Sequence, residues 1–169
     1  YGMTETLSHI ALRRLNGPEA TEWYKPFSNV SVAINSEGCL VIDAPSVHEG
    51  PLITNDIAKI NENGCFKICG RKDNVICCGG IKIQIEEVET ALRPWLIHPF
   101  MISKRLDRKF GEIMVLLTED SELSVVKDIC LQRLPKYWQP KAYVHVASLP
   151  MTETGKPARA KASALAKEI

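Results

Sequence analysis

The chain has 169 residues, a net charge of +1, 45% apolar side chains and 24% charged ones. Those figures exclude a disordered or collagenous polypeptide and leave room for one or two domains with a real core. They also argue against a nucleic-acid binder, because counterion release needs a clustered basic face.

No apolar run approaches membrane-spanning length. The chain opens at Tyr1 without an initiator Met, a charged leader or a cleavage pattern, and so reads as a fragment of a longer polypeptide. Cys39, Cys65, Cys69, Cys77, Cys78 and Cys130 form no C-x-x-C pair and have no His at ligand spacing. Reduced thiols in a cytoplasmic compartment are therefore expected, rather than a zinc site or disulfides.

From Ser31 to Ile68 short β-prone runs alternate with turns: SVAIN, CLVIDAP, LITNDIAKI and CFKICG, with Gly38 and Gly64 supplying the positive φ that a hairpin needs. Beyond Arg71 the pattern becomes mixed. VICCGGIKIQI reads as a glycine-bent hairpin, EEVETAL as a helix stopped by Pro94, and PFMIS and EIMVLLT as apolar runs. Leu123, Val126, Cys130 and Leu134 recur at steps of three and four, which predicts an amphipathic helix over 121–134 that Pro135 ends. KAYVHVASL reads as a strand, and ARAKASALAKE as an alanine-rich helix with its basic residues on the exposed side. The fold class expected is α+β. A β-rich unit over 1–72 is followed by a small two- or three-layer α/β unit over 73–169.

Three phrases carry chemistry. Lys156 follows Gly155 and precedes Pro157, giving one ammonium a flexible approach and a stiff exit; it reads either as a solvated turn lysine or as a cation for joining two anions. In YGMTE, Tyr1 offers a flat face, Thr4 a hydroxyl for a phosphate and Glu5 a hard oxygen for Mg²⁺, although a loop followed by a helix cap at Thr4 or Thr6 explains the same residues. Asp56, read as lying at a strand end, and Arg71 are the types that hold a ribose diol; taken singly, each is also an ordinary surface charge.

In this order the phrases resemble the acyl-activating, or adenylate-forming, superfamily. Its Y-G-x-T-E matches Tyr1 to Glu5, its T-G-D matches Thr54 to Asp56, and its G-R-x-D-x-x-I-K-x-x-G matches Gly70 to Gly80. Its later G-E matches Gly111 and Glu112, its L-P-x-Y-x-x-P matches Leu134 to Pro140, and its P-x-T-x-x-G-K matches Pro150 to Lys156. Asn55 stands where the family has Gly, and Cys77 where it usually has Lys, so no role is carried to Cys77.

The resemblance implies an ATP-dependent acid–CoA ligase that handles ATP or AMP, Mg²⁺, coenzyme A and a small carboxylic acid. Tyr1 would lie against adenine with Gly2 beside it, Thr4 would contact phosphate, and Glu5 would bind Mg²⁺. Asp56 and Arg71 would hold the ribose, and Lys156 would catalyse adenylation alone. Asp73 would be the hinge of a moving lid, and Gly79 and Gly80 would let a pantetheine arm pass. Ser8 and His9 either reach the distal end of the acyl group or simply pack. The family's upstream phosphate loop is absent, so the fragment is expected to need a missing N-terminal part for activity. Its cut strands leave edges that invite dimerisation.

Overall fold

The computed structural model describes residues 1–167, which fold as two compact units that meet in the sequence between Asp73 and Asn74. Glu168, expected from the sequence to end the last helix, lies outside the described residues.

In the first unit a two-stranded antiparallel ribbon, β1 (Ala11–Leu12) and β2 (Lys25–Pro26), accompanies a four-stranded antiparallel sheet. The sheet runs in chain order: β3 (Ser31–Ile34), β4 (Cys39–Asp43), β5 (Leu52–Ile60) and β6 (Phe66–Arg71). Two of its hairpins share one device. Asn35 Oδ1 accepts from the amides of Glu37 and Cys39, Asn61 Oδ1 accepts from those of Asn63 and Cys65, and Gly38 and Gly64 follow with φ of +82° and +73°. Each Asn side chain thus mimics a backbone turn. Ile10, Leu40, Ile42, Ala58 and Phe66 form the core beneath.

The second unit opens with β7 (Val75–Cys78) and β8 (Ile81–Gln84), joined through Gly79 and Gly80. Both glycines have positive φ, +58° and +82°, which is the two-residue turn whose twist matches its strands. There follow α1 (Ile85–Leu92), β9 (Phe100–Asp107), β10 (Gly111–Thr118), α2 (Leu123–Arg133), β11 (Ala142–His145) and α3 (Arg159–Lys167).

β9 pairs along the length of β10, while β7 meets β10 at Gly111 and β11 runs parallel to it over Val115–Thr118. Side-chain alternation then sorts the apolar run of β10 to two faces. Met114 and Leu116 pack with Val88, Leu92, Val126 and Cys130 of α1 and α2, and Val115 and Leu117 pack with Ala162 and Ala166 of α3. A strand covered on both sides explains why EIMVLLT is nearly continuous in apolar residues. The unit is therefore three-layered. Ala162 and Ala166, four apart and fully buried, put the small face of α3 against the sheet.

Candidate active site

In the first unit the side chains of Tyr1, Asp56 and Arg71 converge. Asp56 lies in the middle of β5, not at a strand end, because β5 runs unbroken to Ile60 through a register shift between Ile57 and Ala58. Period-2 alternation turns Thr54, Asp56 and Ala58 to one face. Thr54 is buried, donates its hydroxyl to the Leu40 carbonyl at 2.9 Å and accepts from the Asp56 amide at 3.1 Å. That anchors the backbone on which the Asp56 carboxylate is mounted.

Asp56 is the register partner of Arg71 across β5 and β6. Its Oδ2 accepts from the Tyr1 hydroxyl, and its Oδ1 lies 3.7 Å from Arg71 Nη1. Burial first, and the bond to Asp56 second, hold the Tyr1 phenol well above its ordinary pKa. The Tyr1 ring meets Phe66 edge-on at 5.2 Å and Tyr24 at 5.9 Å, while Tyr24 and Phe66 stack at 5.5 Å. Tyr24 and Phe66 therefore belong to the site's wall. Tyr24 follows Trp23 just before β2 and Phe66 opens β6, and being aromatic was the sequence signal for both.

Thr4 and Glu5 are exposed on a short 3-10 turn, Thr4–Thr6. The buried member is Thr6, whose hydroxyl donates to carbonyl oxygen of Met3 or Ser8 and accepts from the Met3 amide. The turn is closed by Leu7 at φ +56°, a strained conformation for a branched side chain that is itself 80% exposed. Gly2 is required by close approach: a Cβ there would lie 2.3 Å from the Ser8 carbonyl oxygen. Ser8 Oγ and His9 Nδ1 are 3.4 Å apart and exposed. Glu5 is a single exposed carboxylate, and among the described residues no cluster of three or more His, Cys, Asp or Glu could hold a metal by itself. One carboxylate suits Mg²⁺ that keeps its waters and is shared with nucleotide phosphates.

Asp73 is tied back within the first unit, its Oδ2 lying 3.5 Å from Arg71 Nη2. Asn74 is tied forward within the second, donating to Glu86 Oε1 at 2.5 Å. Cys77 is exposed, and its amide donates to Glu112 Oε2 at 2.7 Å; Glu112 also pairs with Lys104 at 2.9 Å. The Gly79 amide donates to the Phe110 carbonyl at 2.8 Å, while Gly80 has nothing within 4 Å of a Cβ position.

Lys156 stands on a closed hairpin. The Thr152 amide donates to the Lys156 carbonyl at 2.8 Å, the Lys156 amide to Thr152 Oγ1 at 3.0 Å, and the Gly155 amide to the Thr152 carbonyl at 2.9 Å. Met151 and Pro157 bridge below, and Gly155 takes φ +72°. The amides of Thr152, Gly155 and Lys156 are thus all bonded within the turn. The Lys156 side chain is exposed, and its ammonium has no hydrogen bond or ion pair among the described residues.

No family model matches the chain. It is 26% identical over 187 residues to 2-succinylbenzoate–CoA ligase of Listeria innocua, covering 95% of this chain and 39% of that protein. It is 28% identical over 151 residues to L-proline–[L-prolyl-carrier protein] ligase of Pseudomonas fluorescens, covering 79% of this chain and 30% of that one. The structure of o-succinylbenzoate CoA synthetase from Bacillus subtilis with an acyl-adenylate superposes with a TM-score of 0.78 at 23% identity, over 96% of this chain and 40% of that chain. The fold is that of the adenylate-forming ligases. The sequence relatives are acid ligases acting with CoA or carrier proteins, and the chain spans about a third of their length.

Arg159 departs from the exposed position expected of the basic residues on its helix. Read as exposed, it instead makes a two-pronged ion pair with Glu89 of α1, Nη1 to Oε1 at 2.6 Å and Nη2 to Oε2 at 2.7 Å. Helical spacing could not show this, because the partner is 70 residues away in sequence.

Proposed function

We propose that the chain is the C-terminal part of an ATP-dependent acid–CoA ligase. In the first step a substrate carboxylate oxygen bonds to the α-phosphorus of ATP, and pyrophosphate leaves. In the second, the thiol of coenzyme A takes the acyl group, and AMP leaves. The observation that carries this reading is the Lys156 ammonium, without a hydrogen bond or ion pair among the described residues, on a turn closed by three backbone amides. An uncompensated cation on such a mount suits the place where two anions must meet.

The other residues take these roles. The Tyr1 ring and Gly2 line the adenine, Asp56 accepts from the ribose hydroxyls and Arg71 donates beside it, and Thr4 meets a phosphate oxygen. Glu5 would hold Mg²⁺, which when bound neutralises phosphate charge. Gly79 and Gly80 leave passage for the pantetheine arm. Asp73 is the hinge: ties run from Asp73 and Asn74 into different units, so the backbone between them is the place for rotation.

For the acid, we favour o-succinylbenzoate, the precursor activated in menaquinone biosynthesis. The stretches YGMTETLSHIALRRLNG and GRKDNVICCGGIKIQIEEVE resemble that ligase, and the Listeria relative aligns with nearly the whole chain. A second reading, transfer to a carrier protein's thiol, is favoured by the Pseudomonas relative.

The test uses the product of the whole reading frame that encodes this chain. Acid-dependent exchange of pyrophosphate into ATP is expected, greatest with o-succinylbenzoate, followed by thioester formation with free coenzyme A. Exchange with none of a panel of acids would sink the enzyme reading and leave a non-catalytic binding module. Exchange without transfer to free coenzyme A would favour the carrier-protein reading. The 169-residue chain alone is expected to support no exchange.

A further inference from the structure

We propose that Arg159 is the positioning residue of Lys156, acting through the ion pair with Glu89; this rests on the role given to Lys156 above. The hairpin that carries Lys156 is held at both stems by carboxylates. On the entering side the Leu149 amide donates to Glu119 Oε1 at 2.9 Å. On the leaving side Arg159, three residues beyond Lys156, forks onto Glu89 and also donates to the Ile102 carbonyl at 3.0 Å, while the Ile102 amide donates back to Glu89 Oε1 at 2.8 Å. The network joins α1, β9 and α3, all parts of the rigid three-layer core.

Arg159 also breaks a local rule. It is the first residue of α3, where the helix dipole disfavours a cation, and α3 has no acidic residue in that turn to offset it. A planar guanidinium matched to a carboxylate by two parallel bonds supplies direction as well as energy, which a lysine in its place would not. The pair is mostly buried, with 24% of the Arg159 side chain and 12% of the Glu89 side chain exposed.

Beside the base of the hairpin a cavity of about 540 Å³ is lined by Glu89, Glu119, Leu149, Met151 and Pro157 together with residues of the α1–β9 connection. With that space along the base of the hairpin, packing alone does not seat it. The two carboxylate anchors do, and the ion pair is the one next to Lys156.

The test compares Arg159→Met, Arg159→Lys and the double variant Glu89→Gln/Arg159→Met, which leaves no buried unpaired charge and keeps the experiment open if the single change unfolds. In the 169-residue chain, amide hydrogen exchange at Thr152, Gly155 and Lys156 is expected to quicken roughly tenfold in both Met variants, with β10 amides unchanged. In the whole reading-frame product, adenylation kcat is expected to fall roughly 10- to 100-fold, with the acid KM little changed and Arg159→Lys only partly restoring the rate. Thioester formation from supplied acyl-adenylate stays at the parent rate.

Unchanged exchange at the three turn amides, or equal loss of both half-reactions, overturns the proposal. If Lys156→Ala itself leaves adenylation intact, the role of Lys156 fails and the kinetic arm with it, whereas the exchange arm still decides whether the ion pair holds the hairpin.

Discussion

Asp56 and Arg71 face each other as register partners on adjacent strands, and the two oxygens of Asp56 are divided between Tyr1 and Arg71: Oδ2 takes the phenol, Oδ1 lies 3.7 Å from the guanidinium. A carboxylate held from two sides is pre-aimed, so little ordering remains when a ligand's hydroxyls arrive.

Asp56→Asn removes the charge while keeping the shape. Hydrogen bonds to charged groups contribute about 1.5–3 kcal/mol, so nucleotide affinity in the whole protein should fall roughly 10- to 100-fold. The preference for ATP over 2′-deoxy-ATP should fall with it. Calorimetric titration with both nucleotides measures this, and an undiminished preference would remove Asp56 from the ribose.

Lys156→Ala should abolish acyl-adenylate formation while sparing thioester formation from supplied adenylate. Rapid-quench measurement of each half-reaction separates them. Equal loss of both would contradict the division of labour between the lysine and the rest of the lid.

Asp73→Pro fixes φ in the 3-10 turn Lys72–Asn74 and removes an amide donor there. One half-reaction should slow selectively, since a stiffened hinge favours one pose. Matched slowing of both steps in single-turnover assays would argue that rotation does not occur at this residue.

Alkaline pH should destabilise the second unit through Cys130 and Tyr143. Burial, chiefly, raises the Cys130 thiol from 9.0 to about 11, and raises the Tyr143 phenol bonded to it as well. Below pH 9 both folded and unfolded chains hold the thiol proton. Between 9.0 and about 11 the unfolded chain releases it and the folded one keeps it, so stability falls as pH rises. Thermal melts from pH 8 to 11 should show the decline, and Cys130→Ala should flatten it.

Thr54→Val keeps volume but removes the hydroxyl that joins the Leu40 carbonyl to the Asp56 amide. Leaving those buried groups short of a partner costs about 1–3 kcal/mol. Urea unfolding of the 169-residue chain reports the loss, and an unchanged midpoint would show that the bond contributes nothing net.

Local signals made several elements legible. Gly38, Gly64 and the Gly79–Gly80 pair marked hairpins because only the backbone needs to be known there, and spacing alone found α2. The Asn35 and Asn61 side chains that complete two of those turns were passed over, although N-x-x-G-C stands in the sequence twice. Asp56 was read as the end of a strand because a charge after an apolar run is usually one. The register shift across which β5 continues past it exists only in the pairing with β6.

By itself, the order of residues determined the chemistry on offer: which side chains carry charge, which turns close, which runs seek a core, and an ordered series of phrases like that of adenylate-forming ligases. Tertiary structure alone decided which of those groups meet. Strand register set Asp56 against Arg71, the close approach at Gly2 brought the opening turn onto its neighbour, and the packing of α3 on the sheet carried Arg159 to Glu89. The reason is physical. Propensity and periodicity act over a few neighbouring residues, whereas an ion pair between distant positions exists only once burial has closed the chain between them.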